Sequence, residues 1–64
     1  MKLRIDNMSC SGCARGVTAT IQAIDPNAKV DVDLTTKLVT VETTASVEQI
    51  STALAEDDFP AQLQ

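Results

Sequence analysis

The sequence predicts an α+β open-faced sandwich, a four-stranded antiparallel sheet with two helices on one face, in the order β-α-β-β-α-β. Three observations predict it. Apolar residues recur at helical spacing in two stretches and alternate with polar ones in four others. Each helical stretch lies between two alternating stretches, so the strand–helix–strand unit occurs twice. The chain has 64 residues, enough for one domain over residues 1–64 and no more, with no linker, repeat or low-complexity segment.

Residues 2–7 read as a strand, because Leu3 and Ile5 alternate with Lys2, Arg4 and Asp6. Met8-Ser9-Cys10-Ser11-Gly12-Cys13 follows as a loop of small residues, and a helix runs from about Ser11 to Ala23. Val17, Ile21 and Ile24 stand at i, i+4 and i+7, one helical face. Asp25-Pro26-Asn27 stops that helix, since proline disfavours helix in the residue before it. Residues 29–34 form a second strand, with Val30, Val32 and Leu34 inward and Lys29, Asp31 and Asp33 outward. Thr35-Thr36 is a short turn, and residues 37–43 form a third strand with Val39 and Val41 inward and Leu38 on the outer face. So short a connection makes the pair a hairpin.

Ser46 and Gln49 form the S-x-x-Q capping box that opens a second helix, whose apolar face is Val47, Ile50 and Leu54 and whose end is near Asp57. Phe59, Ala61 and Leu63 alternate again as a short last strand. Pro60 lacks an N–H, so this strand is an edge or Pro60 precedes its pairing. With right-handed crossovers, both helices cover one face of the sheet and the other stays polar and open, the ferredoxin-like arrangement. These inward residues form a large core for so short a chain. Full burial of each contributes roughly 1.5–3 kcal/mol before entropy is counted, so the domain is expected to fold without metal.

Composition narrows the function. The formal net charge is −4, and the five basic residues, Lys2, Arg4, Arg15, Lys29 and Lys37, are scattered. Nucleic acid is therefore not an expected partner, because phosphate binding needs a basic patch and Phe59 is the only aromatic residue for base stacking. No apolar run approaches the ~20 residues of a membrane span, so no membrane insertion is expected. The N-terminus alternates polar and apolar residues and lacks a signal-peptide core, which makes a cytoplasmic location the expectation, with thiols kept reduced. With no His in the chain there is no nucleophile–base pair for ordinary hydrolysis, so the protein is not expected to be an enzyme.

The two cysteines carry the chemistry. Cys10 and Cys13 bracket Ser11 and Gly12, and that spacing lets both sulfurs converge at the mouth of a loop. Gly12 is expected to supply backbone angles other residues resist. A disulfide here would close too small a loop to stabilise much. The following helix points its N-terminus at the sulfurs, which favours thiolates. Thiolates select soft ions such as Cu(I) and Zn(II). Structural Zn(II) usually takes four protein ligands, and two sulfurs leave it short unless Asp6 or water helps; Cu(I) and Hg(II) are content with two. The pattern alone also fits a redox dithiol, half of an intermolecular zinc site, or two incidental cysteines. Met8 reads as a core plug before it reads as a thioether ligand. Phe59 is a core ring that also caps the metal region, and Arg15, one turn into the helix and close to the thiolates, either offsets their charge or, as most such arginines do, stays a solvated surface residue.

The run Met8-Ser9-Cys10-Ser11-Gly12-Cys13-Ala14 resembles the M-x-C-x-x-C motif of heavy-metal-associated domains. The likeness extends through V-D-V-D-L and V-T-V in the hairpin to the closing apolar strand. It is similar to the bacterial copper chaperones that carry Cu(I) to copper-pumping P-type ATPases. The resemblance implies that Cys10 and Cys13 are the metal ligands, that Cu(I) is the cargo, and that the partner is the metal-binding domain of a copper-transporting P-type ATPase. Alternatives within the fold are a mercury or zinc carrier. The expected state is a monomer, with a metal-bridged dimer as a second arrangement. Family members commonly carry Gly-Tyr in the loop before the last strand, sometimes with His or Lys near the metal. This chain has Asp58-Phe59, which keeps the ring but loses the hydroxyl. The topology is expected to bring Glu56, Asp57, Asp58 and Phe59 near Cys10 and Cys13, giving an acidic face relieved mainly by Arg15.

Overall fold

The computed structural model describes residues 1–64. The elements are β1 (Lys2–Arg4), α1 (Ser11–Ile24), β2 (Lys29–Asp33), β3 (Leu38–Glu42), α2 (Val47–Glu56) and β4 (Gln62–Leu63). The strands form one sheet in the order β2-β3-β1-β4, all neighbours antiparallel. This is the ferredoxin-like topology that the sequence predicts, with β2 and β4 at the edges. No helix is long and apolar enough to cross a membrane.

Register sorts the side chains. Leu3 lies opposite Val39 and Val30 opposite Val41, while Arg4 lies opposite Leu38 and Asp31 opposite Thr40. Residues directly opposite share a face, so one face collects apolar side chains and the other Lys2, Arg4, Asp31, Asp33, Thr40 and Glu42. Leu38 stands on this second face, as expected, and is half-buried. The core is Leu3, Ile5, Met8, Val17, Ile21, Ala28, Val39, Val41, Ile50 and Leu54, all but Ala28 with no exposed surface.

Several predicted strands are longer than those observed, for identifiable reasons. β1 ends at Arg4, although Ile5 N–H still donates to Lys37 O at 2.9 Å. β2 ends at Asp33 because its carboxylate accepts from Thr35 N–H at 2.9 Å and Thr36 N–H at 3.3 Å, so the chain turns one residue early. The connection is consequently Leu34–Lys37, and Leu34, expected inside, is 37% exposed. Leu63, also expected inside, faces the same side as Leu3 but lies on a two-residue edge strand and is 61% exposed. Pairing begins only after Pro60, as the missing N–H requires.

Asp25 joins the far end of α1 to the loop after β3. Its carboxylate accepts from Thr43 Oγ1 at 2.6 Å, Asn27 N–H at 3.0 Å and Thr44 N–H at 3.4 Å. These donors, the Thr43 hydroxyl first and the Asn27 amide next, hold its carboxyl below the ordinary value against the opposing effect of burial. A depressed folded-state pKa stabilises the fold above the unfolded carboxylate value, about 3.9, and that stabilisation is lost as the pH falls through the folded value. Asp25→Asn should therefore lower the urea midpoint at pH 7, and its difference from the wild type should close as the pH falls below about 4. A difference independent of pH would show that the ionised carboxylate is not the stabilising species.

At the other end, α2 closes with a Schellman turn. Phe59 N–H donates to Leu54 O at 2.7 Å and Asp58 N–H to Ala55 O at 3.2 Å, with Asp58 left-handed at φ 67. Glycine is the usual residue there because a Cβ disfavours that conformation. The Asp58 carboxylate also opposes the negative end of the α2 dipole. Asp58→Gly should raise stability by about 0.5–1 kcal/mol, read as a higher urea midpoint with an unchanged slope.

Candidate metal centre

The segment between β1 and α1 is fixed before it reaches the cysteines. Met8 is fully buried, and its N–H donates to Ile5 O at 3.2 Å. It is the core plug that its apolar character suggests, and its burial keeps the thioether away from the exposed sulfur of Cys10. Lys37 Nζ donates to Asp6 O at 3.0 Å, and Asn7 Nδ2 donates to Asp58 O at 3.0 Å. The loop is therefore tied on one side to the β2–β3 turn and on the other to the turn after α2.

Cys10 is the N-cap of α1, extended at φ −148 and ψ 167, and its carbonyl accepts from Ala14 N–H at 3.1 Å. Its side chain makes no capping bond. Cys13 follows in the first helical turn, and the two Sγ atoms lie 3.1 Å apart. A disulfide measures about 2.05 Å; both thiols are free. Cys10 is exposed, whereas Cys13 is half-buried and packs against the core. The Cys13 thiol is held below its ordinary pKa, most strongly by the Ser9 backbone amide, then by the Cys10 thiol, with the Cys10 amide and Ser9 hydroxyl adding to this and burial opposing it. Gly12 does not supply unusual backbone angles, since no glycine has positive φ. A Cβ there would meet only Cys10 Sγ, at 3.8 Å, so Gly12 leaves the approach to the sulfurs clear.

The remaining candidates separate. Asp6 is engaged with Arg4, Nε to Oδ1 at 2.9 Å, rather than turned to the sulfurs. Arg15 is exposed and forms no ion pair. Asp58 meets Asn7 through its carbonyl, the Asp57 carboxylate accepts from Thr20 Oγ1 at 2.5 Å, and Glu56 lines a groove with Ile24 and Ala53. Lys37 belongs to the same end of the sheet as the metal loop, so the surroundings are mixed in sign rather than acidic. Phe59 does reach the cysteine-bearing helix: a Cβ on Gly16 would lie 3.3 Å from its ring.

Sequence reasoning missed Asn7, Lys37 and Gly16. Asn7 and Lys37 carry no periodic signal, because their partners are distant backbone carbonyls. Gly16 did carry one: a lone glycine inside a helical pattern costs about 1 kcal/mol and often marks a close approach.

Chemically, two thiols in hydrogen-bond contact, one of them open to solvent, make a soft donor pair. No group of three or more His, Cys, Asp or Glu side chains converges elsewhere to hold a metal ion.

Comparisons with known proteins agree with this description. A comparison with curated proteins returned no significant match. Among solved structures, a gold-binding protein is 47% identical with a TM-score of 0.97, over 100% of this chain and 98% of that chain. The copper chaperone Atx1 from Synechocystis PCC6803 is 35% identical with a TM-score of 0.92, over 97% of this chain and 98% of that one. Oxidised MerP from Ralstonia metallidurans CH34 is 27% identical with a TM-score of 0.83, over 98% of this chain and 92% of that one. The model of the heavy-metal-associated domain matches residues 2–56, and the chain, with its fold and its paired cysteines between first strand and first helix, belongs to that family.

Proposed function

We propose that this protein is a copper chaperone, a carrier rather than an enzyme. It binds Cu(I) through the thiolates of Cys10 and Cys13 and passes it by ligand exchange, in the cytoplasm, to the metal-binding domain of a copper-transporting P-type ATPase. The observation that carries this reading is the pair of free sulfurs 3.1 Å apart at the rim of the fold, in a chain with no His and no further Cys. A two-thiolate set suits soft ions of low coordination number and leaves Zn(II) short of its usual four ligands. Exposure of Cys10 suits transfer, because an acceptor thiolate can enter at the metal before either ligand has left. The similarity to the copper chaperone Atx1 supports copper as the cargo.

A second reading keeps the site and changes the ion. The 47% identity to a gold-binding protein favours Au(I), which like Cu(I) is soft and monovalent. Titration of the reduced protein with Cu(I), in competition with Au(I), Hg(II) and Zn(II) in glutathione buffer, separates these readings. One Cu(I) per chain, undisturbed by excess Zn(II), is the expected result. Preference for Au(I) or Hg(II) moves the cargo assignment to that ion. Insulin reduction with no stoichiometric metal uptake would replace the carrier reading with a dithiol redox role.

A further inference from the structure

Cys13, Gly16, Val17 and Thr20 fall at i, i+3, i+4 and i+7, so they share one stripe of α1. The turn at residues 57–59 lies along that stripe. Thr20 Oγ1 donates to the Asp57 carboxylate, and the Phe59 ring rests on Gly16, where any side chain would crowd it. Between them Asp58 holds the left-handed conformation that L-residues resist. Its carbonyl accepts from Asn7 Nδ2, and Asn7 stands three residues before Cys10. Backbone bonds to the end of α2 close the turn itself, while downstream Pro60 offers no N–H and β4 is only two residues long.

We propose that Asn7 is a positioning residue that latches the 57–59 turn onto the Cys13 stripe of α1, so that Cys13 is guarded while Cys10 stays open. The side-chain amide joins the cysteine loop to the turn whose aromatic ring packs on Gly16, one helical turn along the same stripe from Cys13. Without that bond the turn keeps its backbone bonds to the end of α2 and the Thr20–Asp57 bond, but it loses its one tie to the cysteine loop, and Phe59 lifts from Gly16 more readily. The difference in access between the sulfurs, exposed at Cys10 and half-buried at Cys13, is then a held state of the fold. Its consequence for metal release rests on the proposed function, but the guarding belongs to the metal-free chain and is measurable there.

Initial rates of iodoacetamide alkylation, resolved by mass spectrometry for each cysteine of the reduced apo protein, test the latch. Asn7→Ala removes the side chain, and Asn7→Asp keeps its shape but not its donor. Both should speed alkylation of Cys13 about fivefold, the equivalent of one hydrogen bond of about 1 kcal/mol, and leave Cys10 within about twofold by the same measure. Gly16→Ala, which displaces the Phe59 ring while favouring the helix, should expose Cys13 in the same way and keeps the test available if the Asn7 variants fold poorly. Asp25→Asn, at the opposite end of α1, controls for general loosening. An unchanged Cys13 rate in the Asn7 and Gly16 variants, or an equal rise in Asp25→Asn, overturns the latch. In a parallel assay, Asn7→Ala should pass Cu(I) to a chromophoric chelator about fivefold faster than the wild type, for the same hydrogen-bond reason. A wild type that takes up no Cu(I) would refute the carrier reading and leave the alkylation result standing.

Discussion

Serine in place of either Cys10 or Cys13 is expected to lower Cu(I) affinity by at least about a hundredfold. Losing a partner that only supports a ligand already costs about 10–100-fold, and here a ligand itself is removed from a set of two. The two variants should differ in the metal-free state, because the cysteines occupy different places in α1. Cys10 is the N-cap and makes no capping bond. Serine is among the best residues at that position, and its hydroxyl can accept from an amide of the first turn. Cys10→Ser should therefore raise apo stability by about 0.5–1 kcal/mol while abolishing tight metal binding. Cys13→Ser replaces a half-buried thiol packed against the core and should gain nothing. Competition titration with a chromophoric Cu(I) chelator, alongside urea unfolding of the apo forms, reads both effects. Near-native affinity in either variant would sink the two-thiolate site, and a destabilised Cys10→Ser would sink the capping argument.

The second large effect is expected in the core. Ile21 is fully buried on the inner face of α1, and truncating such a side chain to alanine costs about 2–5 kcal/mol. A chain of this size has roughly 3–10 kcal/mol in all, so Ile21→Ala should lose a large share of its stability and be mostly unfolded at urea concentrations that leave the wild-type apo protein folded. The wild-type apo protein should by contrast give a folded circular dichroism spectrum when reduced. Ligands that bind only the folded state restore stability, by about 4 kcal/mol at a thousandfold excess over the dissociation constant. Cu(I) should accordingly refold a good part of Ile21→Ala. A random-coil spectrum for the wild-type apo protein would mean that the metal creates the fold instead of binding to it.

Much of this architecture was legible because local signals and tertiary structure agree. Val17 and Ile21 are spaced for one helical face and are buried there. Ser46 and Gln49 form both halves of the capping box, with Gln49 N–H donating to Ser46 Oγ and Ser46 N–H to Gln49 Oε1. Cys10 and Cys13 stand together because three residues within a helix's first turn are neighbours whatever surrounds them. The misplaced residues fail where alternation competes with something stronger. Leu34 continues the strand pattern, but the Asp33 carboxylate turns the chain first. Leu63 has the right parity and no helix above it. The acidic run at 56–58 reads as one charge cluster along the chain, yet the Asp57 carboxylate is taken up by Thr20 on α1 and Asp58 meets the cysteine loop through its backbone carbonyl. Asn7 was invisible for a related reason: a side chain that bonds a carbonyl fifty-one residues away leaves no periodic trace.

The β2 edge has a consequence for how copies of this protein meet in solution. β2 pairs only with β3, so its other side presents unpaired backbone donors and acceptors, the template on which sheets grow from one molecule to the next. Lys29, Asp31 and Asp33 occupy every second position along it and are all exposed. If two copies met antiparallel through this strand, centred on Asp31, the two Asp31 carboxylates would oppose each other while each Lys29 met Asp33 of the other copy, so the row of charged side chains along the edge, and not this one register, is what blunts it as a template. A net charge of −4 adds a longer-range barrier to the same encounter. The charged side chains of Lys29–Asp33 and the net negative charge together disfavour fibrillation and colloidal self-association through this open edge.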